Sequence, residues 1–364
     1  MRPLVLLLAA VCATGACSSG ATGPILIGAA GPWHEAYGRT DSLGIAMAVD
    51  EINATAAWRQ HPLRVVYRDD SASGVRAAAI AQELVDSAPV VAVVGHVNSK
   101  AMMAAARVYD GHMAAIATSA TSPDLTGLSR WTFRVVSSDS ANGQAIAQFV
   151  NQRGWHRAAV LYENNSYGRG LANAFRRSYK GEIVTFDPVD DTGNESFEPF
   201  VSFFKLRAPD VVLVATTDPP ARAFLKEAKR QQLAAKIVGA DGWMPLTGDG
   251  SIADGVFVGA PFTATDTRAD ALRFIQAYRK RYGTDPDGYA ALAYDATYVL
   301  AQAIEKVGTD RARVRDYLAS MNAPFPGATG PIRFGPDGDP TGKAIVMTQI
   351  EHGKLDVVSG GSAP

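Results

Sequence analysis

Five short polar clusters, each directly after an apolar run, carry the groups in this chain best suited to binding. They are His96-Val97-Asn98-Ser99, Thr118-Ser119-Ala120-Thr121-Ser122-Pro123, Glu163-Asn164-Asn165-Ser166-Tyr167-Gly168, Thr217-Asp218-Pro219 and Ala240-Asp241-Gly242-Trp243. The first two offer hydroxyls and backbone N–H groups at helix starts. Unpaired donors and the helix dipole attract anions there. The later clusters offer an acid, Asp241, and aromatic surface from Tyr167 and Trp243. Anion donors on one side and a carboxylate on the other suit a zwitterion. Each cluster also has a plainer use: Ser and Thr before helices serve as N-caps, and Asp-Gly forms turns. Their coincidence at five strand ends is what argues for a site.

The same residues give little support to catalysis. The six histidines, at 34, 61, 96, 112, 156 and 352, are scattered and lack H-E-x-x-H spacing. No G-x-S-x-G elbow or G-x-x-x-x-G-K-[ST] loop occurs. Gly168-Arg169-Gly170 lacks the third glycine of a dinucleotide loop, and Asp337-Gly338-Asp339 falls short of a calcium loop. A binder without cofactor or metal is expected.

The elements that position these clusters read as alternating strand and helix. Apolar runs at 25–28, 63–68, 90–95 and 113–117 form a first series. Runs at 158–162, 182–186, 211–216, 236–239 and 255–259 form a second. Val90 to Val94 is apolar on both strand faces, as in parallel sheets covered by helices on both sides. Between the runs, Ile45, Val49 and Ile52 fall at helical spacing, as do Ala79, Ile80, Leu84 and Val85. Further helices are expected at 171–177, 220–231, 269–282 and 289–307. The pattern predicts α/β architecture in two doubly wound lobes with right-handed crossovers. In such sheets ligands bind beyond the carboxyl ends of strands. The polar stretch 137–142 suits a crossover, as does the loop 259–267. Residues 331–335 and 344–350 read as two strands joined by a turn.

The first residues speak to compartment. Arg2 precedes an apolar run over 4–13, too short for a bilayer, which needs about 20 residues. Thr14-Gly15-Ala16-Cys17 follows. This fits a secretory signal core and a small-residue cleavage site. The cysteine after small residues resembles a bacterial lipobox, with Cys17 lipidated. An ordinary cleaved signal peptide with an incidental cysteine is the alternative. The two cysteines of the chain, Cys12 and Cys17, leave no internal disulfide after cleavage. The core must hold the fold, and 364 residues suffice for that. With 47% hydrophobic and 20% charged residues and a formal charge of −1, the chain lacks the basic footprint of a nucleic-acid binder.

Several landmarks together resemble the periplasmic branched-chain amino-acid-binding proteins, the leucine/isoleucine/valine type of ABC transporter receptor. They are Gly31-Pro32 with Tyr37-Gly38, Asp50-Glu51-Ile52-Asn53, Asp69-Asp70, Val94-Gly95-His96, Ser119 to Leu125, Tyr167-Gly168-Arg169-Gly170, and 286–295 with Tyr289 and Tyr294-Asp295. Their order, over nearly the whole chain, carries the resemblance. It implies a type I periplasmic-binding fold: two Rossmann-like lobes joined by three crossovers and closing on a ligand. It implies Ser99 and Thr121 as carboxylate donors, Ser119 as the carbonyl that receives the ammonium, and Asp241 as the acid that pairs with it. Tyr37, Tyr167 and Tyr289 would wall the pocket. Thr217 stands where the branched-chain receptors have Tyr, and Asp241 where many have Glu; both changes remove bulk. A disulfide of some relatives would fall at Ala72 and Asn98, and is missing here.

The resulting expectation divides the chain into a signal peptide (1–16), a lipidated tether (17–23), lobe 1 (24–138 and 263–331), lobe 2 (139–262 and 332–358) and a tail (359–364). The protein is expected to be a periplasmic or surface lipoprotein, anchored through Cys17 and monomeric. It would bind an amino acid or similar small zwitterion and deliver it to ABC permease membrane subunits. A ligand-sensing or cell-envelope regulatory lipoprotein of the same fold is the alternative.

Overall fold

The computed structural model describes residues 23–190 and 196–358. The expected signal peptide, Cys17 and the tail at 359–364 lie outside the described residues. The described strands are β1 (Ile25–Gly31), β2 (Leu63–Asp69), β3 (Val90–Gly95), β4 (Ala115–Ala117), β5 (Thr132–Arg134), β6 (Arg157–Glu163), β7 (Glu182–Val189), β8 (Val211–Ala215), β9 (Lys236–Gly239), β10 (Phe257–Ala260), β11 (Phe325–Gly327), β12 (Gly330–Ile332), β13 (Val346–Glu351) and β14 (Lys354–Val357). The helices are α1 (Ala36–Ala54), α2 (Gly74–Asp86), α3 (Ser99–Tyr109), α4 (Asp139–Gln152), α5 (Ser166–Ser178), α6 (Glu198–Arg207), α7 (Asp218–Arg230), α8 (Gly250–Ala253), α9 (Ala269–Tyr282), α10 (Gly288–Val307) and α11 (Arg311–Ala319).

Two sheets organise them. The first runs β2-β1-β3-β4-β5, all parallel. The second runs β14-β13-β10-β9-β8-β6-β7 and is parallel except for β13, which is antiparallel to both neighbours. Helices cover both faces of each. Ile45, Ile52, Leu292, Leu300, Val314 and Leu318, from α1, α10 and α11, pack on one face of the first sheet. Ala77, Leu84, Met102 and Ala105, from α2 and α3, pack on the other. In the second sheet, Ile146, Phe149, Leu171 and Phe175 of α4 and α5 face Val201, Phe204, Phe224 and Leu225 of α6 and α7 across the strands. Every residue of β3 is buried, as an interior parallel strand requires. Each such valine contributes roughly 1.5–3 kcal/mol of burial.

The chain passes between the sheets three times: after β5, after β10 and between β12 and β13. The first passage differs from expectation. Residues 137–142 are not all loop, because α4 begins at Asp139, with the Ser138 hydroxyl accepting from the Ser140 N–H. Its first turn is polar, so the apolar period appears only from Ile146. The expected strand at 331–335 is β12, which pairs with β11 in a separate hairpin. The strand at 344–350 pairs instead with β10 and β14. The buried Arg134 ties the passage to the turn at 336–342. Its guanidinium donates to both Asp339 oxygens (2.7 Å each) and to the Ser122 carbonyl (2.8 Å).

Candidate functional site

Strand ends of both sheets meet one cavity of about 390 Å³, within the range of roughly 300–1,000 Å³ usual for small-molecule sites. Ser99, Ser119, Asp241, Tyr37, Tyr167, Thr217 and Tyr289 all line it. Thr121, the remaining candidate, is buried but is not one of the lining residues. Trp243, read above as aromatic surface, lies wholly within the core of the second sheet, its indole N–H on the Thr216 hydroxyl (3.3 Å). The aromatic wall is instead Tyr37 against Tyr289, with ring centroids 5.3 Å apart, together with Tyr167.

One end of the cavity is suited to an anion. Helix α3 starts there, and its N-cap residue Asn98 makes no side-chain cap. The Asn98 side chain bonds the Tyr37 hydroxyl instead. The start of α3 is therefore not capped by its own N-cap side chain, and helix starts attract anions through their N–H groups and dipole. The Ser99 hydroxyl accepts from the Ser122 N–H (3.1 Å), which leaves its own hydrogen free to donate.

The other end is suited to a cation. The Tyr167 hydroxyl donates to the Asp241 carboxylate (3.1 Å) and accepts from the Gly242 N–H (3.3 Å). Burial pushes the Asp241 carboxyl up to about 6, opposed by the hydrogen bond from Tyr167. Burial, and then the Asp241 charge, holds the Tyr167 hydroxyl well above its ordinary value and so protonated. Close by is Asp139, fully buried at the start of α4, whose backbone N–H donates to the Thr121 carbonyl (2.8 Å). Burial and the neighbouring Asp241 charge raise the Asp139 carboxyl well above the carboxylate range. Asp139 therefore keeps its proton, and Asp241, which lines the cavity, is the acid that offers charge to a positive group.

Ser119 Oγ, on a residue that lines the cavity, is buried with no hydrogen-bond partner among the described residues, while the Thr121 hydroxyl lies behind it against the Asp139 carboxyl. Buried polar groups are ordinarily paired, so the Ser119 hydroxyl marks a place for an additional hydrogen-bonding molecule.

Residues of the same strand-end clusters to which the sequence assigns no individual role complete the wall. Glu163, 1% exposed, ends β6 and lines the cavity. It accepts from the Thr217 N–H (3.1 Å) and hydroxyl (2.5 Å) and from the Asn165 amide (3.0 Å). Gly168 permits this arrangement, because a Cβ there would stand 2.3 Å from the Glu163 carbonyl oxygen. Ala72 and Asn98 also border the cavity. His96 does not line it. It is buried between Asp70 (2.6 Å) and the Tyr109 hydroxyl (3.2 Å).

Two lobes, each an open α/β sheet, with strand ends converging on a polar cleft, define a cleft-closing solute receptor. The chain belongs to the periplasmic binding protein family, whose profile matches residues 24–354. It is 29% identical over 317 residues to the leucine-, isoleucine-, valine-, threonine- and alanine-binding protein of Pseudomonas aeruginosa, covering 83% of each chain. The crystal structure of a branched-chain amino acid transporter substrate-binding protein from Streptococcus pneumoniae, in complex with isoleucine, superposes with a TM-score of 0.85 at 29% identity, covering 92% of this chain and 99% of that one. A substrate-binding protein of Desulfitobacterium hafniense in complex with Leu gives 0.79 at 30% identity, covering 92% and 100%. The type I periplasmic-binding fold, with two lobes and parallel sheets, is thus the fold of this chain, and the family places it outside the cytoplasm.

Proposed function

We propose that this protein captures an α-amino acid or closely related zwitterion in the cleft and presents it to an ABC permease, performing no chemistry on it. The observation that carries this reading is one cavity lined by the Asp241 carboxylate, the unpartnered Ser119 hydroxyl and the start of α3, where the N-cap side chain makes no cap. In this reading the first turn of α3 and Ser99 hold the carboxylate. Thr121 joins them on the carboxylate, and the Ser119 carbonyl and Asp241 hold the ammonium. Tyr37, Tyr167 and Tyr289 exclude water, and Thr217 borders the side-chain end. Charge-assisted bonds strengthen as the cleft dries, so the ligand favours the closed form by its differential affinity.

The lobes comprise 24–138 with 263–331 and 139–262 with 332–358, and lobe 1 carries the α3 and Thr121 contacts. Lipidation at Cys17, a monomeric state and tethering by 17–23 belong to the same reading. A thermal-shift screen of amino acids and small carboxylates tests it, since ligands of the native state raise the melting temperature. Stabilisation by α-amino acids, lost on blocking either their amine or their carboxyl, is the expected result. A protein that responds to none of them, and instead co-purifies with a cell-wall synthase, is a regulator and not a transport receptor.

A further inference from the structure

The segment Ser119 to Ser122 follows β4 of the first sheet, and its shape is held by the first passage between the lobes. The carbonyls of Ala120, Thr121 and Ser122 are each bound from residues 134–139. The Arg134 guanidinium donates to Ala120 (3.4 Å) and to Ser122 (2.8 Å). The Asp139 N–H donates to Thr121 between them (2.8 Å). The Ser122 N–H is taken by the Ser99 hydroxyl (3.1 Å). Among the described residues, no hydrogen bond reaches the Ser119 carbonyl, the Ser119 hydroxyl or the Thr121 N–H. A short segment tied down at its other polar groups holds these three in fixed directions, as a preorganised site requires.

Asp139 carries part of that hold from the other lobe. It opens α4, which packs on the second sheet through Ile146 and Phe149. Its carboxyl nevertheless lies against the Thr121 hydroxyl. The Asn142 amide donates to the same carboxyl (3.3 Å), and the Ser137 hydroxyl donates to the Asn142 side-chain oxygen (2.6 Å). These contacts fix the orientation of the carboxyl. Burial and the Asp241 charge keep it protonated, so it touches Thr121 without opposing a ligand carboxylate. Resting on the zwitterion-binding reading above, we propose that Asp139 is a positioning residue of this site, setting from the second lobe the Thr121 group on which the charged end of the ligand rests. Asp139 is fully buried and does not line the cavity. Its effect therefore falls on the part common to all α-amino acids and leaves their rank order alone.

Titration calorimetry of the exported protein with each common α-amino acid tests this, on the wild type and on two variants. Asp139→Leu keeps the branched shape and removes both oxygens. It should weaken every amino acid that binds by the same factor, roughly 10-fold, the order of one well-placed hydrogen bond. Asp139→Asn keeps a polar atom against Thr121 and an oxygen for the Asn142 amide, and should stay within about threefold of the wild type. The ligand-free melting temperature reports folding; if the Leu variant does not melt cooperatively, Asp139→Ala replaces it in the comparison. A merely structural acid would change the melting temperature and leave the affinities in place. Wild-type affinity in the folded Leu or Ala variant, or an Asn variant as weak as that one, overturns the positioning role while leaving amino-acid capture intact. A loss confined to some amino acids overturns it too, because it would place Asp139 at the ligand side chain. Failure of the wild type to bind any amino acid overturns the zwitterion reading itself.

Discussion

Replacing Asp241 by Asn keeps the size and planarity of the side chain and its contact with the Tyr167 hydroxyl (3.1 Å), but removes the charge offered to the ligand ammonium. Hydrogen bonds to charged groups contribute about 1.5–3 kcal/mol, which corresponds to roughly 10- to 150-fold in affinity at neutral pH. The pH dependence makes the test sharper. Burial raises the Asp241 carboxyl to about 6 in the free protein, whereas a bound ammonium favours the carboxylate and lowers that value. The complex therefore holds fewer protons than the free protein, and affinity rises with pH until the free carboxyl is ionised. Between pH 7 and pH 5 the ionised fraction falls about tenfold, and wild-type affinity should fall with it. Asp241→Asn should be weak throughout and lack this component of the slope. Calorimetry at pH 5, 6, 7 and 8 measures both quantities. Wild-type affinity in the variant, or an identical pH slope in the two proteins, would refute the ammonium-binding role.

Other perturbations separate binding from stability. Thr121→Ala should weaken binding by about 1.5–3 kcal/mol and, because its hydroxyl also lies against the Asp139 carboxyl, lower the urea stability of the ligand-free protein by no more than about 1.5 kcal/mol; unchanged affinity would show that Thr121 is structural only. Asp339→Ala strands the buried Arg134 guanidinium and should cost about 3–5 kcal/mol, read from the same denaturation curves, with a cost under 1 kcal/mol contradicting the clamp. The Asp41 carboxyl is raised by burial to about 8, so its folded form keeps a proton that the unfolded chain releases. Stability from this group is present at low pH and lost as pH rises through about 8, by at most about 1.4 kcal/mol per unit. Asp41→Asn should flatten the melting temperature between pH 5 and 8, and an unchanged profile would show that Asp41 does not hold that proton. Cys17→Ser should leave affinity intact and move the protein from the membrane to the soluble fraction; persistent membrane association would rule out the anchor.

Much of this was legible in the residues because strands and ligand contacts share a rule. Runs buried on both faces, such as Val90 to Val94, announce parallel strands, and the polar residues after them fall at the sheet edge where ligands bind. That rule reached Ser99, Ser119, Thr217 and Asp241. Helix α9 matched its expected bounds because Gly283, with φ of 74°, ends the apolar period cleanly. Helix α6 escaped because Phe203 and Leu206 are exposed, which blurs any amphipathic stripe. Strand β5 is only three residues long, and α11 opens on an arginine-rich turn. At the site, the strand-end rule reached Glu163 without giving it a role, and it missed Asp139, for another reason. Asp139 gains meaning only when residues about 100 positions away, around Asp241, fold back beside it. Glu163 depends in the same way on Thr217. No local pattern encodes either meeting.

The antiparallel strand β13 has a consequence for how the molecule is assembled. It fills the edge of β10, so the second sheet is complete only when residues 346–357 are in hand, after the chain has returned to the first lobe to add α10 and α11. Until then β10 presents an open rim of backbone donors and acceptors, the kind of edge that recruits strands from other chains. A partly synthesised chain cannot finish its second lobe, whereas a chain delivered whole across a membrane can. The order of elements thus defers completion of the second sheet until β13 and β14 have been made, and a chain lacking residues 346–357 should aggregate instead of yielding a smaller receptor.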